Sequence, residues 1–129
     1  MKKQQYKIII AGGRDFQNYE VLRGVMDGVL ANISSPITIV SGAARGADTL
    51  GEQYAAEHGL DVMRFPADWK KFGRRAGPIR NEQMAEAANM LIAFWDGQSR
   101  GTKNMIGNME QRGKPYYVYD YTGQLIASK

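Results

Sequence analysis

The sequence predicts an α/β domain of three layers, with a mostly parallel five-stranded sheet and helices on both faces. Three observations carry this reading. Short apolar runs alternate with helical patterns of about 10 to 15 residues, the signature of right-handed βαβ units. The strand-like runs are almost continuously apolar, as expected where both faces of a parallel sheet are covered. The chain has 129 residues, of which 43% are hydrophobic and 23% charged, so residues 1–129 make one domain around one sizeable core.

The elements follow in order. Tyr6 to Ala11 reads as a buried strand, ended by Gly12-Gly13. Tyr19 to Ala31 places Val21, Leu22, Val25, Met26, Val29 and Leu30 on one helical stripe. Pro36 resets the chain, Ile37 to Ser41 is a second strand, and Gly42 closes it. Ala44 to His58 reads as a helix with Gly59 just past its end. Leu60 to Phe65 is a third strand. Lys70 to Gly77 reads as a basic, glycine-containing loop, with Pro78 in the first turn of a helix that runs to about Ala88. Met90 to Trp95 is a fourth strand, Asp96 to Gly101 a loop, Thr102 to Arg112 a helix, and Pro115 to Tyr119 a fifth strand. A turn at Thr122-Gly123 allows a short extra strand at Gln124 to Ala127. This alternation defines a Rossmann-like class.

Composition excludes several functions. There is no Cys, which removes disulfides, thiolate catalysis and Cys-ligated zinc. The single His removes His-cluster metal sites, and no metal is expected. The net charge is +4, a mild excess that suits an anionic partner. No long apolar region follows the two lysines between Met1 and Gln5, so this stretch does not read as a signal peptide. Met90 to Trp95 is too short to span a bilayer. A cytoplasmic protein with no membrane association is the expectation. Both G-x-x-x-x-G-K-[ST] and, after the first strand, G-x-G-x-x-G are absent, which argues against P-loop ATPase and NAD dehydrogenase classes. No cofactor is expected.

The chemistry lies in the loops. Ligands on such sheets bind beyond the carboxyl ends of the strands, where strand order switches. Three loops there combine glycine with small or hydroxyl residues ahead of a helix: Gly12-Gly13-Arg14-Asp15, the run from Ser41 to Asp48, and the run from Asp96 to Thr102. Glycine lets backbone N–H groups approach a ligand, and helix N-termini attract anions. Tight turning explains any one of these loops. Three at one edge, each with an added Arg, point to a site for phosphate, ribose or nucleotide. Trp69, after the third strand, is placed to stack on a base or to lid the core. Arg80 can fork onto a phosphate and Asn81 can both donate and accept, although on spacing alone a surface Arg and a helix-starting Asn are the simpler explanation. His58 fits a helix terminus rather than catalysis, Ser41 shows no base, and Met84, Met90, Met105 and Met109 fit packing. Trp95 lines the pocket or fills the core. Tyr116, Tyr117, Tyr119 and Tyr121 are candidates for an oligomer interface.

Taken together, these motifs resemble the SLOG superfamily, which includes DprA (Smf) and the LOG phosphoribohydrolases. V-S-G-A-A-R-G-A-D at Val40 to Asp48 resembles its S-G-x-A-R-G-[IA]-D motif. A-G-G-R-D-F at Ala11 to Phe16, F-P-A-D-W at Phe65 to Trp69 and G-P-I-R-N-E-Q-M at Gly77 to Met84 are similar to its YspA-type branch, and Ala93 to Thr102 holds the glycine-rich position. The resemblance runs from about Lys7 to Tyr119. It implies a pocket for a nucleotide-derived ligand. Gly12, Gly13 and Arg14 would form one wall; Ser41, Gly42, Arg45, Gly46 and Asp48 a second. Arg80 and Asn81 would reach in, and Gly97, Ser99, Gly101 and Thr102 would cradle a phosphate. The LOG motif P-G-G-x-G-T-x-x-E has a Glu where Met105 stands here, and a thioether is no acid or base. Glu110 is too far along the helix to substitute.

Three functions follow. The first is binding of an ADP-ribose-like, cyclic or phosphoribosyl nucleotide, as a sensor or sequestering protein. A short chain favours a stand-alone binder or a homo-oligomer subunit. The second is a hydrolase of a nucleotide N-glycosidic or phosphate bond, with Asp15, Asp48 or Asp96 as acid–base group. The third is a DprA-like single-stranded nucleic-acid binder using Arg74, Arg75, Arg80 and Arg100, although the sequence shows no clear aromatic platform among these residues.

Overall fold

The computed structural model describes residues 4–129. Met1 to Lys3, the start of the stretch read above for a signal peptide, lie outside the described residues. The elements are β1 (Tyr6–Gly12), α1 (Tyr19–Leu30), β2 (Ile37–Ser41), α2 (Ala47–Glu57), β3 (Asp61–Arg64), α3 (Trp69–Phe72), a 3-10 turn (Gly73–Arg75), α4 (Ala76–Ala87), β4 (Met90–Phe94), α5 (Arg100–Gln111), β5 (Tyr116–Tyr119) and β6 (Leu125–Ser128).

One sheet orders them β3-β2-β1-β4-β5-β6. The first five strands are mutually parallel, and β6 runs antiparallel to β5. The sheet therefore has six strands, not the five expected. The sixth is the short extra strand that the sequence allows at Gln124 to Ala127; it forms at Leu125–Ser128 and is exposed throughout.

Strand periodicity divides the core in two. Ile8 and Ile10 face α1 and α2, packing with Leu22, Met26 and Tyr54. Ile9 and Ala11 face α4 and α5, packing with Met84, Met105 and Met109. Ile8, Ile9 and Ile10 are all completely buried, each contributing about 1.5–3 kcal/mol by burial. A one-residue slip of β1 would exchange its two buried faces.

Three helix starts carry side-chain caps. The Asn18 side chain accepts from Val21 N, Asp68 from Lys71 N and Ser99 from Thr102 N. The Ser99 cap starts α5 at Arg100, two residues before the expected start. α2 starts at Ala47 rather than Ala44, because Ala43 and Gly46 have φ of 59° and 78°, outside helical geometry. The Lys70 to Gly77 stretch is not a loop: it holds most of α3, the 3-10 turn and the start of α4. Pro78 falls in the first turn of α4, where no N–H is needed. His58 ends α2, with its Nδ1 2.9 Å from the Tyr54 carbonyl and its ring stacked 3.9 Å from Tyr54.

The tyrosines of the tail serve the fold itself. Tyr116 is buried and donates to Glu110, and Tyr117 and Tyr119 pack on the α1 side of the sheet. The Glu110 carboxylate is thereby tied to the far end of α5. Among the described residues no helix is long and apolar enough to cross a membrane.

Candidate nucleotide site

Strand order reverses between β1 and β4, and a cavity of about 390 Å³ opens beyond their carboxyl ends. That volume suits a small ligand. Ala11 and Gly12 at the end of β1 form its floor, with Met84 from α4 and Met105 from α5. Gly13, Arg14 and Asp15 make one wall, Ala44 and Asp48 the next. Arg80 and Asn81 enter from α4, and Ser99, Gly101 and Thr102 close the far side at the start of α5. A second cavity of about 250 Å³ adjoins it, shares Arg14, Ala44 and Arg80, and adds Gly42, Arg45 and Trp69.

Close approach explains the glycines. A Cβ on Gly12 would lie 2.3 Å from the Phe94 carbonyl. One on Gly42 would lie 2.6 Å from an Arg80 guanidinium nitrogen and 2.8 Å from Asp48 Oδ2. Gly42 therefore lets arginine and carboxylate converge over bare backbone.

Arg80 is the hinge of both cavities. Its Nη1 donates to the Gly42 carbonyl at 2.6 Å and its Nε to Asn81 Oδ1 at 3.0 Å. Among the described residues, the remaining N–H groups of the fork make no hydrogen bond. Burial lowers its pKa, the Asp48 charge opposes this, and Arg14 adds to the lowering. Asn81 is 8% exposed, and its amide donates to the Gly101 carbonyl at 3.3 Å and to Asn104 Oδ1 at 2.9 Å. Its amide group is thus spent on holding α4 to α5 and orienting Arg80, more than on reaching into the cavity. Asn104, which the sequence did not single out, completes this brace.

Asp48 is buried and accepts from Ala44 N at 3.2 Å. Burial pushes its carboxyl up to about 6, against the lowering pull of Ala44 N and the Arg80 charge. Asp15 lies on the opposite wall. Tyr121, just beyond β5, donates to Asp15 Oδ1 at 2.6 Å and packs against Phe16, with ring centroids 5.0 Å apart. Its hydroxyl would lie 1.8 Å from a Cβ on Gly13. Sequence reasoning missed Tyr121 as a site residue; its position just past a parallel strand's carboxyl end was the available signal.

Four expected site residues do not line either cavity. Ser41 is 1% exposed and donates to Glu52 Oε2 at 2.6 Å while accepting from Ala43 N at 3.0 Å. Burial pushes the Glu52 carboxyl up, but Ser41 and Arg64 together bring it below its ordinary value. Ser41 thus does have an acidic partner, but it anchors the loop from below. Gly46 holds loop against loop, since a Cβ there would lie 2.3 Å from the Gly13 carbonyl. Gly97 turns the β4–α5 loop with φ 83°. Asp96 accepts from Gln98 N and Ser99 N at 2.9 and 2.8 Å, which holds its carboxyl below the usual range. It shapes the loop and does not reach the ligand space. Trp95 likewise donates to the Ser99 carbonyl at 3.0 Å. Arg100 lies away from both cavities, on the outer side of the α4–α5 seam.

A doubly wound parallel sheet with a polar cavity at its switch point is the layout of the Rossmann-like α/β class. The chain belongs to the YspA, cpYpsA-related SLOG family, whose model matches residues 6–72. That match covers the first two glycine loops and α3. Gene 61 protein of Mycobacterium phage D29 is 29% identical over 115 residues, 84% of this chain and 92% of that protein. DNA processing protein A (DprA) from Streptococcus pneumoniae shares the fold with a TM-score of 0.71 at 17% identity, over 89% of this chain and 50% of that chain. The chain thus spans half the length of that protein. TM1055, a structural-genomics target, aligns with a TM-score of 0.65 at 14% identity, over 88% of this chain and 72% of its own.

Proposed function

We propose that the cavity binds a nucleotide-derived small molecule of the ADP-ribose-like, cyclic or phosphoribosyl kind, and that the protein acts in the cytoplasm as a sensor or sequestering protein. The observation that carries this is the division of the cavity wall by charge. The amino end of α5 at Ser99, Gly101 and Thr102, with Arg14 and Arg80, favours an anion. Asp15 and Asp48 are acceptors suited to sugar hydroxyls, and Trp69 beyond Arg80 is suited to a base. A phosphate, a sugar and a base would thus meet donors, acceptors and a ring in turn.

A hydrolytic reading has one observation in its favour: Asp48, buried in the cavity with its carboxyl near 6, fits a general acid. Against it, Met105 lies on the floor, 1% exposed, where a thioether offers neither proton nor base. Calorimetric titration with ATP, ADP, AMP, NAD, ADP-ribose and cyclic nucleotides, with product analysis of the same samples, separates the two. The binding reading expects ligand recovered intact. Consumption of ligand, abolished by Asp48→Asn, would replace it with the hydrolase. Arg80→Ala and Gly101→Asp should each abolish binding with an unchanged circular dichroism spectrum; undiminished affinity in both would remove the site assignment.

A further inference from the structure

We infer that Arg80 is aimed from the far end of the α4–α5 seam: a ladder of amides, Asn81, Asn104 and Asn108, runs between it and Arg112, and Asn104 and Arg112 are positioning residues for the cavity. This rests on the reading of Arg80 as a ligand-facing residue and adds what holds it. The carrying observation is an unbroken run of side-chain hydrogen bonds. Arg80 Nε donates to Asn81 Oδ1 at 3.0 Å, and Asn81 Nδ2 donates to Asn104 Oδ1 at 2.9 Å. Asn108 Nδ2 donates to that same oxygen at 3.3 Å, and Arg112 Nη1 donates to Asn108 Oδ1 at 3.0 Å. Arg112 Nε then donates to Glu86 Oε2 at 2.9 Å, which ties the last rung back to α4. From Asn104 to Arg112 the ladder follows α5 for about 12 Å.

The rungs have a fixed direction. A guanidinium only donates, so the amide beside it must present its oxygen. Asn81 presents Oδ1 to Arg80, which turns its Nδ2 to the Gly101 carbonyl at 3.3 Å and to Asn104. Asn108 presents Oδ1 to Arg112, which turns its Nδ2 to the Asn104 carbonyl at 3.0 Å and to Asn104 Oδ1. Asn104 receives both amides on one oxygen and is the rung where the two directions meet. Turning over any one of the three amides would set N–H against N–H. Asn81 and Asn108 are buried, where an unmatched amide is costly, so the order is fixed as a whole. Apolar packing already joins these helices: Met84 and Ala85 of α4 share a core cluster with Met105 and Met109 of α5. What the ladder adds is direction at Arg80, whose one other hydrogen bond among the described residues is to the Gly42 carbonyl. Without Asn81 in this orientation the guanidinium would pivot on that bond.

The test is nitrogen-edited NMR of the arginine Nε–H groups, with the Arg80 signal identified by its absence in Arg80→Lys. Asn104→Leu and, from the remote end, Arg112→Leu should each shift or broaden that signal. Asn104→Asp keeps an acceptor for both amides and should retain it. Lys103→Leu, beside Asn104 in sequence but outside the ladder, should leave it unchanged. In a parallel titration with ADP-ribose, Asn104→Leu should lower affinity about 10-fold, and Asn104→Asp should recover most of the loss. An Arg80 signal unmoved by both leucine variants of the ladder, or moved by Asn104→Leu and not by Arg112→Leu, would overturn the inference. So would an equal change in Lys103→Leu, or undiminished affinity in Asn104→Leu once the Arg80 signal has moved. Failure of the native protein to bind any nucleotide of the series above would remove the nucleotide reading, while the Arg80 signal still decides the ladder.

Discussion

Asp48→Asn is expected to make the protein more stable and its site worse. In the native fold this carboxyl is 7% exposed and raised from 3.8 to about 6, burial being the largest cause. In the unfolded chain it titrates at its ordinary value. Its contribution to stability is therefore complete below about pH 4, declines as pH rises to about 6, and is flat above that. The interval between 3.8 and about 6 corresponds to about 3 kcal/mol of destabilisation at neutral pH. Asparagine cannot ionise and escapes that cost, while weakening the bond from Ala44 N, worth about 1 kcal/mol. The variant should then exceed the native protein by roughly 2 kcal/mol at neutral pH. Urea unfolding across about pH 4 to 8, with the denaturant slope held common, reads the difference directly. The difference should grow between about pH 4 and 6 and then level. A difference that stays constant over that interval would refute the assignment of Asp48 as a buried, strained carboxylate. On the proposed binding role, nucleotide affinity should fall in the same variant, because the cavity wall loses a charged acceptor.

Two further outcomes are expected. Gly46→Ala should cost more than about 2 kcal/mol, because φ is 78° and the added Cβ meets the Gly13 carbonyl at 2.3 Å; urea unfolding reads it, and a loss under about 0.5 kcal/mol would contradict the loop-on-loop contact. The exposed Leu125 and Ile126 on the edge strand β6 point to a homo-oligomer; a light-scattering mass fixed at 14.4 kDa at every concentration would refute that.

The strands were legible because parallel strands covered on both faces are written as apolar runs, and Tyr6 to Ala11 and Met90 to Trp95 are such runs. The αL turn after α2 was legible in Gly59, whose φ is 65°. α3 was not: four residues are too few to show a helical period, and W-K-K-F followed by G-R-R reads as a charged loop. The glycine loops located the cavity, yet residue type alone did not separate liners from supports. Asp48 and Asp96 stand alike in sequence, each in a glycine-rich loop. One is buried and feels the Arg80 charge, and the other is bound to the N–H groups of its own turn. Tyr121 and Asp15 are 106 positions apart, and only the sheet order brings them together.

That last contact constrains how the chain can vary. Of the hairpin from Asp120 to Lys129, Tyr121 alone packs against a core cluster, on Phe16, so much of the remainder is free to change. Tyr121 is tied to Asp15 at one side and to the end of β5 at the other, two residues after Tyr119. An insertion after Thr122 disturbs the turn that Asp120 ties to Thr122 N and Gln124 N but leaves Tyr121 in place on Asp15. An insertion between Tyr119 and Tyr121 would turn the phenol away from Asp15 and uncover Gly13. Drift in length should therefore be tolerated on one side of a single residue and rejected on the other.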